Sequence, residues 1–123
     1  MRRPSCSLWL IAALATPALA AAPVRQLTDA DLTAYAAKPF DKAAMMFKRV
    51  ALGMHHGALV VADFPCGDVC PNYTVRIIHY DAPPGPACAK LGGVTETRSV
   101  PVSIAVEEKT YCVPAVLRGR SGS

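Results

Sequence analysis

Four cysteines constrain this chain more than any other feature: Cys66, Cys70, Cys88 and Cys112. A mature chain of roughly 100 residues that carries an even number of thiols into an oxidising compartment is expected to fold around disulfides. The compartment is read from the N-terminus. Met1-Arg2-Arg3 is a short basic start, Leu8 to Leu19 is an apolar run, and Ala18-Leu19-Ala20 offers an A-x-A cleavage site. These are the three parts of a secretory signal peptide. The apolar run also falls short of the roughly 20 residues needed to cross a bilayer core. Residues 1–20 are therefore expected to be cleaved, and Cys6 leaves with them. Cys6 has no small-residue lipobox around it, and Arg2-Arg3 lacks the context of a twin-arginine signal. The Ala-rich leader has a bacterial look, which places the mature protein in the periplasm first and in the medium second.

Charge narrows the partners. Losing Arg2 and Arg3 lowers Lys+Arg from 13 to 11 against 9 acidic residues, so the formal charge falls from +4 to +2. No Lys/Arg stripe remains to neutralise several phosphates, which argues against nucleic acid. The length allows one domain over residues 21–117 with a modest core, followed by a solvated tail over 118–123. Neither internal repeat nor low-complexity tract divides it. A protein or envelope component is the expected partner, and no cofactor is called for.

The coarse pattern is α+β. Thr28 with Asp31 makes a capping box, so Asp29 to Ala37 reads as a helix that stops before Lys38-Pro39. Ala43, Met46, Phe47, Val50 and Met54 recur at helical spacing, with Asp41 as cap and Gly57 as the close, so residues 41–56 read as a second helix. A strand through Met46–Leu52 is the alternative. Ala58 to Ala62 is a continuous apolar strand, and Tyr73 to Tyr80 is rich in β-formers. Val100, Val102, Ile104 and Val106 alternate with smaller or polar residues, the clearest period-two signal in the chain. Glu107-Glu108-Lys109 is expected to turn that strand into Thr110–Leu117, an edge strand because Pro114 has no N–H for a ladder. The sum is one or two short N-terminal helices on an antiparallel sheet of about four strands, stapled by disulfides. Between strands, Asp81 to Ser99 reads as one long Pro/Gly-rich connection. Such long connections are uncommon in small domains unless functional or disordered, so it is the candidate binding loop, with Asp81, Pro83, Pro84, Pro86, Lys90 and Arg98 as its recognition residues and a bland surface insertion as the alternative.

The chemistry-bearing residues are few. Cys66-Gly67-Asp68-Val69-Cys70 is a C-x3-C. Extended, it would hold its Cα atoms roughly 13 Å apart, but Gly67-Asp68 can fold it back into bridging range. The redox C-x2-C leads into a helix, whereas Pro71 follows here, so a structural disulfide is the favoured reading. Of three possible connectivities, Cys66–Cys70 with Cys88–Cys112 is preferred, and spacing leaves the crossed and nested pairings open. If residues 58–64 and 73–80 form a hairpin, His79 falls opposite Ala58, near His55, His56 and Asp81. That cluster is a candidate transition-metal site through imidazole nitrogens. Against it, neighbouring His55 and His56 point apart on either a helix or a strand. The alternative to a binding domain is thus a metal or thiol-redox protein using these histidines or Cys66/Cys70. A structural envelope protein with no discrete site is a third. Hydrolysis finds no support: there is no G-x-S-x-G elbow and no Ser, His and Asp set. Asp63 and Asp68 are accounted for by turn or ladder-end roles, and the protein is read as a non-enzyme.

Overall fold

A computed structural model of the chain describes residues 24–39, 48–66, 75–102 and 105–120. The leader, the Gly67–Cys70 loop and the 121–123 end therefore lie outside the described residues. Helix α1 spans Asp29–Ala37. Its start is the capping box expected from Thr28 and Asp31: Asp31 N–H donates to the Thr28 hydroxyl, and Thr28 N–H donates to the Asp31 carboxylate. Those hydrogen bonds, with the nearby Arg25 charge, hold the Asp31 carboxyl below its ordinary range. The helix ends at Lys38, ahead of Pro39. Its last carbonyls are taken by a buried cation, since Arg76 donates to Ala36 O and Lys38 O and its guanidinium lies 4.8 Å over the Tyr35 ring.

Three strands form the first sheet in the order β1 (Arg49–His55), β2 (Ala58–Asp63) and β3 (Ile77–Tyr80), all antiparallel. The helix expected within residues 41–56 is not what its described part shows: Arg49 to His55 is a strand. The apolar spacing there fits either period, and two glycines decide. His56 and Gly57 both have left-handed φ, 54° and 80°, and join β1 to β2 as a two-residue hairpin turn. Gly57 thus closes a hairpin rather than a helix. Gly53, at φ 150°, sits where the register shifts, and a Cβ there would lie 2.6 Å from Arg25 O. The bulge lets the chain at 25–27 run against β1, with Met54 N–H donating to Arg25 O and Leu27 N–H to Met54 O.

The second sheet is one hairpin, β4 (Gly93–Val102) with β5 (Ala105–Pro114), followed by a 3-10 turn at Ala115–Leu117. The single sheet of about four strands is therefore two sheets, of three and two strands. The strong alternation from Val100 to Val106 spans the hairpin's reversal, where Val102 pairs with Ala105. Glu107-Glu108-Lys109 lies inside β5, paired with Val100, Ser99 and Arg98. Period two survives a tight reversal because both arms alternate, so the pattern alone cannot locate the turn.

Asp81 to Ser99 is not one loop. A five-residue helix, α2 (Pro86–Lys90), opens on a proline at its first turn, and Gly92 at φ 78° ends it before β4 begins. Cys88 from α2 and Cys112 from β5 form a disulfide, Cα atoms 5.5 Å apart, as expected. Gly93 is where it is because a Cβ there would meet Cys112 Sγ at 2.8 Å and Cys88 Sγ at 2.9 Å. Cys66 is also disulfide-bonded and buried; Cys70, its expected partner, lies outside the described residues. The two sheets close over one core that includes Leu32, Val60, Ile77, Ile78, Tyr80, Val100, Val113 and Leu117, with the Cys88–Cys112 bridge inside it. Ala62 and Phe64 make a satellite cluster with Val50 and Leu52. Among the described residues, no helix is long and apolar enough to cross a membrane.

Candidate functional site

Residues of β1, β2 and β3 on one side and of β5 on the other line a cleft of about 660 Å³. That is within the range of small-ligand sites. Lys48, Arg49 and Asp63 line one side and Lys109, Thr110 and Tyr111 another, with Asp81 and Pro83 at the rim. The register explains the grouping. Arg49 pairs with Asp63 across β1–β2, Asp63 with Ile77 across β2–β3, and Val61 with His79, which sets His79 on the strand next to Asp63. Side chains then close a network. Arg49 Nε and Nη2 donate to the two Asp63 oxygens at 2.9 and 3.2 Å, and Arg49 Nη1 to Asp81 at 3.1 Å. His79 Nε2 lies 2.5 Å from Asp63 Oδ2, its Nδ1 is 2.9 Å from Tyr80 O, and its ring meets Tyr111 at 4.7 Å between centroids.

Asp63 is half-buried, and burial alone pushes its carboxyl up. The hydrogen bonds from His79 and Arg49, with their charges, together outweigh that and hold it below the ordinary range. Arg49 is raised in turn, chiefly by its bond to Asp63. Burial, and then the Asp63 charge, push the Tyr111 phenol up. Both cleft carboxylates are thus engaged, while Lys48 makes no ion pair among the described residues and Lys109 reaches Glu107 only at 4.0 Å. The cleft has surplus positive charge beside an aromatic wall.

A second cluster lies at the hairpin end of β1. His55 Nδ1 is 2.7 Å from the Tyr80 hydroxyl, and His55 Nε2 is 2.8 Å from Asp29 Oδ1 in the first turn of α1. His56, in the turn, stacks on His55 with centroids 3.9 Å apart and donates from Nδ1 to Leu91 O at 2.9 Å. A left-handed non-glycine costs about 1 kcal/mol, and hairpin turns of this kind prefer Asn or Gly at that position. Burial, and then the Asp29 charge, push the Tyr80 phenol up to about 12. A tyrosine raised above its unfolded value contributes stability that is present below pH 10 and lost as pH rises toward 12. In an absorbance titration at 295 nm, one of the four tyrosines should ionise last, near pH 12, together with unfolding. Ionisation of all four below pH 10.5 with the fold intact would contradict the burial of Tyr80.

The structure separates residues that the sequence reading grouped. His79 pairs with Val61 rather than lying opposite Ala58, and belongs to the cleft with Asp81, away from His55 and His56. His55 and His56 do come together, because the backbone reverses at His56 and turns its ring onto its neighbour's. Of the expected loop residues, Asp81 and Pro83 line the cleft. Pro84, Pro86 and Lys90 are exposed on the α2 side, and Arg98 sits in β4, ion-paired with Glu96 at 2.8 Å. Sequence reasoning passed over Arg49, Tyr111 and Asp29, and gave Asp63 only a ladder-end role. The one signal available was His56-Gly57 between two β-capable runs, a hairpin marker that fixes which residues face Asp63. Compared with protein-family models, curated proteins and solved structures, the chain matches none.

Proposed function

We propose that the protein is an exported, disulfide-stapled binding domain that holds a ligand non-covalently in the cleft between its two sheets. The observation that carries this reading is the charge arrangement there: Asp63 and Asp81 are occupied by Arg49 and His79, and Lys48 and Lys109 are left facing the cavity. A ligand with a carboxylate or similar anion beside a ring or apolar group matches that lining, its anion on the lysines and its flat face on Tyr111. An envelope component or an acidic protein segment presents this chemistry. The basic start, apolar run and A-x-A site support export, and the leader's composition supports a bacterial periplasm. Among the described residues, no set of nucleophile, base and orienting group is assembled in the cleft, which favours binding over catalysis.

The test is a Lys48→Glu/Lys109→Glu variant, both positions being exposed. With aromatic carboxylates as probes, measured by calorimetry at low salt, affinity should fall at least tenfold and the melting temperature should hold. Unchanged affinity in the variant, or no binding by the parent at millimolar probe, would overturn the proposal.

A further inference from the structure

We infer that Asp29, His55 and His56 form a binding site for a divalent first-row transition metal, separate from the cleft. Each of the three offers a ligand atom, and these atoms lie within 4.8 Å of one another. Two imidazoles and one carboxylate are the donor set that zinc, nickel, copper and cobalt take up, leaving positions for water. The geometry is closer to a site than the bare grouping says, because both rings are already oriented from behind. His55 Nδ1 is held by the Tyr80 hydroxyl and His56 Nδ1 by the Leu91 carbonyl. Each Nε2 is thereby the ligand nitrogen, in the arrangement by which metal-bound histidines are normally fixed.

Admitting a metal asks for two movements: the His55–Asp29 pair opens slightly, and the His56 ring, stacked on His55 at 3.9 Å between centroids, tilts to bring its nitrogen inward from a ligand spread of up to 4.8 Å. His55 Nε2 and Asp29 Oδ1 stand 2.8 Å apart. Two ligand bonds of about 2.1 Å at a tetrahedral or octahedral angle place such atoms roughly 3.0–3.4 Å apart, so the pair opens by a few tenths of an ångström. His55 must surrender the proton it shares with Asp29 and carry it on Nδ1 instead. The partner there is a phenol, which accepts as readily as it donates, so the buried ring keeps its hydrogen bond through the exchange. Asp29 and His56 are exposed, which gives the metal a path in from solvent. A histidine in the left-handed turn position, where Asn or Gly suits the backbone better, is a departure from local preference that a ligand role accounts for.

The experiment uses the oxidised protein without reductant, so that the disulfide-bonded cysteines do not compete. Protein stripped with EDTA is titrated calorimetrically with zinc chloride, and cobalt(II) loading is followed by its visible absorption. His56→Asn removes one ligand while placing a residue that favours the turn, so the apo melting temperature should stay the same or rise. Asp29→Asn is the second variant. One zinc per chain with micromolar or tighter affinity is expected, weakened at least tenfold in either variant, with the cobalt bands lost. An absence of saturable zinc binding by the parent, or equal affinity in His56→Asn, overturns the inference.

Discussion

Replacing Cys88 and Cys112 together by alanine is expected to lower stability by about 3.5 kcal/mol. The bridge closes a loop of sequence separation 24, and the chain-entropy relation for roughly 25 residues gives that figure. It is a large share of what a small domain has to spare, since total stabilities run from about 5 to 15 kcal/mol. Both sulfurs are buried in the main core, between α2 and β5 and against Gly93. Alanines therefore also leave a small void at the place where Gly93 admits nothing larger. The melting temperature should fall by roughly 15 °C or more on the usual scaling for domains of this size. The check is thermal and urea unfolding of parent and variant by circular dichroism. A drop of under about 1 kcal/mol would show that α2 and the β4–β5 hairpin are held by packing alone.

Asp63→Asn carries the second large effect and has a pH signature. Asp63 is charged and receives bonds from Arg49 and His79. An amide keeps one acceptor but turns its NH2 toward a donor, so about 2 kcal/mol should be lost at pH 7. The sign with pH follows from the direction of its shift. The carboxyl is held below its ordinary value, so its contribution is complete above about pH 4 and is lost as pH falls through the lowered folded value. Urea midpoints of parent and variant should therefore differ at pH 7 and converge toward pH 2.5. A constant difference across that range would mean that Asp63 acts by shape and not by charge.

Much of the fold was legible where local chemistry is decisive. The capping box and Lys38-Pro39 bound α1 correctly, because each is set by hydrogen bonds or sterics within a few residues. The antiparallel pairing of β2 with β3, entertained as a hairpin, and the Cys88–Cys112 bridge, the preferred of three connectivities that spacing leaves open, are both present. What escaped was decided by register. Counting His79 against Ala58 instead of Val61 moved it by three residues and so joined it to the wrong histidines. Reading Gly57 as a helix end left the strand through Met46–Leu52 as an alternative only, and hid the His56-Gly57 reversal with the stacking of His55 on His56. Asp29 was legible as a first-turn helix residue. Its meeting with His55 depends on how α1 lies against the end of β1, which no local pattern encodes.

The central claim is that the inter-sheet cleft is the binding surface, and amide chemical-shift mapping with an unbiased fragment library tests it most directly. The account predicts that anionic aromatic fragments bind, and that their shifts converge on residues 48–49, 63, 79–83 and 109–111. Fragments that map instead to another face, or that produce no converging set at millimolar concentration, would contradict it.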